Sequence, residues 1–210
     1  MATATKRTWI TVALLGAAFV AMAAGTRRRN WRKVLEGAFA RGITDEQLEG
    51  AEAIARAFDR RGDGDERKLA YIIGTAWHES RLKPLREIRA KQGTEIYQIQ
   101  EKYWNTGYYG RGFAQLTWRD NYAKMSKVVG IDLVAAPDAA LDVAVAADII
   151  VAGMMGGMFT GKALGQYINA QQADYYNARR TLGAIMVAGQ DTATMVQGHT
   201  LAILNNLSSR

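Results

Sequence analysis

A predominantly α-helical domain over residues 34–210, preceded by a basic-flanked hydrophobic segment over 1–33, is what the sequence predicts. Three observations carry the prediction. Apolar residues recur at intervals of three and four in several stretches, helix-start signals precede those stretches, and alternating strand patterns are few. The chain of 210 residues has no Ser- or Pro-rich linker and no internal repeat, which fits one domain with a real core behind its leader.

The leader comes first. Residues 8–26 carry no charge and lie between Lys6-Arg7 and a cluster of Arg27, Arg28, Arg29, Arg32 and Lys33. As a helix these 19 residues would reach about 28 Å, close to the hydrocarbon thickness of a bilayer. Three readings fit: a signal peptide cleaved near Ala21-Met22-Ala23, a retained membrane anchor, or an anchor that later leaves the membrane. Membrane association through residues 8–26 is expected on the last two. Basic residues favour the cytoplasmic side, and five follow the span against two before it. That bias works against export, so topology stays open.

Thr44 opens the first clear helix of the domain. With Gln47 three residues on it makes a capping box, and Leu48, Ala51, Ala55 and Phe58 form the apolar stripe behind it. This helix is expected to end at about Arg61, with Asp63 or Asp65 capping the next. Over 65–80, Leu69, Ile72, Ile73, Ala76 and Trp77 again trace one helical face. Pro84 cannot continue a helix, so Glu87 falls on the loop beyond it. Pro137 suits the first turn of a long Ala- and Val-rich helix that the glycines of 153–159 end or break. Residues 164–168 and 191–207 predict two more helices, and Met154, Met155 and Met158 are expected in the core at a junction.

Charge sets limits on partners. Seven of the 27 basic residues and none of the 20 acidic ones lie in 1–33, so the remainder is neutral and the net +7 belongs to the leader. A nucleic-acid-binding domain is therefore not indicated. With no cysteine, disulfides are excluded. His78-Glu79 lacks the second histidine a zinc motif needs at position 82, which is leucine, and Arg61 breaks the ligand spacing of a calcium loop in 59–66. No phosphate loop or nucleotide fingerprint is present, so neither metal nor cofactor is expected.

Chemistry concentrates in 71–87 and 108–122. Glu79 sits near a helix end at the edge of an apolar face, where partial desolvation disfavours the charged form and suits a proton donor. Glu87, eight residues on, can fold back towards it. Paired carboxyls of this kind serve glycosidic cleavage, although a helix-end glutamate and a surface ion pair would read the same. Around them stand Tyr103, Trp104, Tyr108, Tyr109, Phe113, Trp118 and Tyr122, whose rings combine apolar faces with polar edges, as sugars do. Any one of these rings can equally belong to the core. Gln115, Thr117 and Asn121 can each donate and accept hydrogen bonds.

His78-Glu79 and the run Tyr108-Tyr109-Gly110-Arg111-Gly112-Phe113-Ala114-Gln115-Leu116-Thr117-Trp118-Arg119-Asp120-Asn121-Tyr122 resemble family 19 glycoside hydrolases, the chitinase-like group, over about residues 69–180. The small size and short interval between glutamates are closer to that group's phage-type endolysins. The resemblance implies a two-lobed, lysozyme-like, mainly helical fold, with Glu79 as general acid and Glu87 as general base. It implies that Thr117 positions the attacking water and that Gln115 and Asn121 bind substrate; His78, Tyr109 and Arg111 of the two motifs join them as candidate substrate-binding residues. Arg180 falls near a family arginine that organises the acidic pair, and Arg179 is almost as good a match. The early second glutamate and the lack of cysteine depart from plant chitinases and favour bacterial peptidoglycan over chitin. The resulting expectation is a wall-degrading endolysin, membrane-associated and acting in the periplasm or at the cell wall, with inversion as the stereochemical course; the alternatives are a chitinase and a catalytically inactive, membrane-anchored wall-binding or virion structural protein.

Overall fold

The computed structural model describes residues 29–40, 42–187 and 189–208. The expected membrane segment, 8–26, lies outside them. Among the described residues no helix is long and apolar enough to cross a membrane.

The described chain is mainly helical. Helix α1 (Trp31–Phe39) is capped by Asn30, whose side chain accepts from the Lys33 backbone, and it straddles the boundary expected at residue 33. Trp31, Val34 and Leu35 are buried in the main core, so the core includes a residue ahead of the expected boundary. Helix α2 (Asp45–Arg61) opens with the expected capping box between Thr44 and Gln47. Helix α3 (Glu66–Ser80) is capped by Asp65. It stops before Pro84, because Arg81 and Leu82 both take left-handed backbone conformations (φ 54° and 60°).

Beyond α3 the chain makes a two-residue strand, β1 (Leu85–Arg86), the short helix α4 (Glu95–Glu101) and a second two-residue strand, β2 (Arg111–Gly112). The strands pair antiparallel, Leu85 with Gly112 and Arg86 with Arg111, which ties the Glu87 loop to the second motif. Helix α5 (Arg119–Val129) follows.

The single long helix expected after Pro137 is two elements. Pro137–Leu141 is a 3-10 turn, and α6 (Val143–Met155) starts afresh behind Asp142. Asp142 is extended (ψ 134°) and its side chain accepts from the Ala144 and Val145 backbone, the geometry of a helix cap and not of a helix interior. Gly156 closes α6, while Gly153 stays inside it. The helix expected over 164–168 is only a 3-10 turn, Leu164–Gln166, followed by a bridge between Ile168 and Ala173. A hairpin of β3 (Met186–Val187) and β4 (Gln190–Asp191) leads into the last helix, α7 (Thr192–Ser208).

Two hydrophobic cores result. The larger is built from α1, α2, α3, α6 and α7, with α7 packed on both α1 and α3 and α2 packed on α6. The smaller gathers Leu116, Tyr122, Met125, Leu133, Ala140 and Ile149 around α5 and α6. Helix α6 serves both: Ile149 faces the smaller core, and Ala146, Ala147, Ile150, Val151 and Met154 face the larger. Met154 is fully buried, Met155 packs on the larger core and Met158 on the smaller, as expected of residues at the lobe junction.

Candidate functional site

Glu79 lies one residue before the end of α3. Its carboxylate oxygen Oε1 is 2.9 Å from Nη2 of Arg179, with side-chain exposures of 19% and 7%. The contact is a charge pair and not an aligned hydrogen bond, since Oε1 and the other guanidinium nitrogen, Nη1, make no hydrogen bond within the protein. The guanidinium supplies the counter-charge that a carboxylate withdrawn from water requires. Arg179 is itself placed by Thr192, whose hydroxyl accepts from its Nε at 3.2 Å and donates to the Ile185 carbonyl at 2.7 Å. Arg180, by contrast, is exposed and reaches only Asn177 at 3.3 Å. The arginine beside the acid is therefore Arg179. Both belong to one 3-10 turn, Asn177–Thr181, in which successive side chains point about 120° apart.

Glu87 is held from three directions. Oε1 accepts from Gln100 Nε2 at 2.9 Å and from the Tyr103 hydroxyl at 2.6 Å, and Oε2 accepts from the Gly110 backbone at 2.7 Å. Burial first, and then the bond to Glu87, pushes the Tyr103 hydroxyl above its usual range, so it remains a donor. Gln115 stands next to this carboxylate: a Cβ on Gly110 would sit 2.8 Å from Gln115 Oε1 and 3.1 Å from Glu87 Oε2. A larger residue there would press on the Gln115 amide and the Glu87 carboxylate and shift both. Gln100, buried at 1% exposure, is part of the site that the motifs do not reveal.

Gln115, Thr117 and Asn121 come together with Ala114, Leu116, Trp118, Phe159 and Leu182 around a groove of about 320 Å³. Leu182 lies three residues after Arg179, the residue paired with Glu79, and neither Glu79 nor Glu87 lines the groove itself. The Thr117 hydroxyl donates to the Gln115 carbonyl at 2.9 Å, and Asn121 Nδ2 donates to the Thr117 carbonyl at 2.9 Å. Gln115 and Trp118 both have positive φ, 49° and 75°. Such backbone in non-glycine residues costs on the order of 1–3 kcal/mol each and persists only where the surroundings impose it.

Arg111 departs from its expected part in substrate binding. It is 4% exposed, and its guanidinium bonds Asp138 at 2.8 Å, the Gly107 and Tyr109 carbonyls, and the Tyr122 hydroxyl at 2.9 Å. It braces the motif loop from inside. Burial pushes the Tyr122 hydroxyl up to about 12 against the pull of Arg111. The bond from Arg86, joined by Arg111, holds Asp138 below the usual carboxylate range. Tyr109 stacks on Trp104 with ring centroids 4.5 Å apart and accepts from Arg86 at 2.9 Å. His78 points to another cluster, 6.2 Å from His199, which meets Phe39 edge-on.

Solved structures share the fold. Chitinase C from Streptomyces griseus HUT6037 superposes with a TM-score of 0.54 at 21% identity, over 84% of this chain and 91% of that one. The chain has the fold of chitinase C. A glutamate-to-glutamine mutant of chitinase C aligns with a TM-score of 0.53 at 20% identity, over 84% of this chain and 75% of that one. No family model matches the chain, and no curated protein matches it. The chitinase C fold agrees with the lysozyme-like architecture that the resemblance to family 19 glycoside hydrolases implied.

Proposed function

We propose that the protein is a glycoside hydrolase that cleaves β-1,4 links between amino sugars, with Glu79 as general acid and Glu87 as general base. Glu79, which pairs with Arg179 as a carboxylate and takes up a proton before the reaction, donates that proton to the bridging oxygen as the C–O bond breaks. Glu87 takes a proton from a water that attacks the anomeric carbon from the opposite face, and Thr117 helps to hold that water. Gln115 and Asn121 bind sugar substituents along the groove. A carboxyl separation of about 6.5–9.5 Å would make the reaction inverting. The observation that carries the reading is the clamp on Glu87 by Gln100, Tyr103 and Gly110, directly beside Gln115 of the groove. A carboxylate fixed this firmly beside a groove residue is prepared for one orientation of a reacting water.

Bacterial peptidoglycan is the substrate we favour, on the short interval between Glu79 and Glu87 and the charge-free segment 8–26, which would bring the enzyme to a membrane facing the wall. Chitin is the second reading, favoured by the chitinase C neighbours. Mass spectrometry after incubating the full chain with purified peptidoglycan, and in parallel with chitin oligosaccharide, separates them. Disaccharide-peptides with a new reducing end identify a wall glycosidase, and cleaved chitin alone identifies a chitinase. Glu79→Gln should lower the rate by about 10²–10⁴-fold with unchanged circular dichroism. Undiminished hydrolysis in that variant would refute the assignment.

A further inference from the structure

Trp118, the residue that opens α5, is 46% exposed and adopts a φ of 75°. Its backbone is held there by a bond from its N–H to the Tyr108 carbonyl at 2.9 Å. Trp118 lines the groove together with Thr117, Asn121, Phe159 and Leu182. One edge contact fixes its tilt: Tyr103 meets it at 5.1 Å between centroids and 68° between planes. Tyr103 is also the residue whose hydroxyl donates to Glu87 at 2.6 Å.

We propose that Trp118 is a sugar-stacking residue, its indole face taking the apolar C–H face of an N-acetylated pyranose ring in the groove. The inference rests on the glycosidase reading and adds a subsite to it. A flat, polarisable face bordered by amide and hydroxyl groups matches a pyranose, which is apolar on its faces and polar around its rim. Strained backbone in an exposed aromatic residue serves to aim the ring. Because Tyr103 touches both Trp118 and Glu87, a ring stacked on Trp118 is set in register with the second carboxylate.

The test is calorimetric titration of the full chain carrying Glu79→Gln, so that binding is read without turnover. The probes are a tetramer of N-acetylglucosamine and a peptide-bearing glycan strand. Trp118→Gly, which suits the positive φ, should weaken binding of both probes by about tenfold, and Trp118→Phe should recover most of that loss. Unchanged binding in Trp118→Gly overturns the proposal, as does an equal loss in the Gly and Phe variants. A loss confined to the peptide-bearing strand overturns it in favour of a contact with the peptide. If the parent binds neither glycan, the glycosidase reading fails and this subsite falls with it.

Discussion

Removing one member of a charge pair withdrawn from water leaves the other uncompensated, which costs more than the pair contributes. Arg179 and Glu79, 7% and 19% exposed and 2.9 Å apart, stand in that position. Arg179→Met should lower stability in urea unfolding by about 2–3 kcal/mol, somewhat below a fully buried pair because Glu79 keeps some solvent. Adding Glu79→Gln should restore most of the loss, and Arg180→Ala should stay within about 0.5 kcal/mol of the parent. Sequence spacing narrowed the arginine to these two neighbours and could go no further, since the choice depends on how a 3-10 turn is rotated against α3. Arg111 shows the same limit. Glycines on both sides suggest a residue facing a ligand, yet five hydrogen-bond donors on a guanidinium serve equally to brace a loop from within, and only packing tells the two apart.

Among the elements, those written in local chemistry were legible: the capping box at Thr44 and Gln47, the cap at Asp65, and the last helix. The helix after Pro137 was misread because Asp142 caps a new one in the middle of an unbroken apolar run, and composition alone does not register a cap there. The groove was half legible. Gln115, Thr117 and Asn121 could be named from their motif, but the rest of the wall, Phe159 and Leu182, comes from distant chain. Gly153 has a part in that wall: a Cβ there would lie 2.2 Å from the Phe159 ring. Gly153→Ala should therefore push Phe159 towards the groove, raising KM for glycan and lowering the melting temperature, at a cost of about 1–3 kcal/mol. An unchanged KM would show that the ring moves elsewhere.

For the whole molecule, pH acts through the joint between α1, α3 and α7. Burial, helped by His78 and Arg81, pushes His199 down to about 4, and burial also lowers His78, against the pull of Glu79. Both imidazoles are thus neutral in the folded state while the unfolded chain takes up protons from about 6.5 downwards. Stability associated with His199 is complete above pH 6.5 and is lost as the pH falls towards 4. The melting temperature should decline over that window, and less steeply in His199→Gln.

Helix α6 sets how these parts depend on one another. From Val145 to Met155 no residue of it is exposed, and its two sides belong to different cores. It is a party wall. Neither core can move away from α6 without stripping one side of that wall bare. The same wall makes the two lobes lose their order together, and a fault in one is inherited by the other.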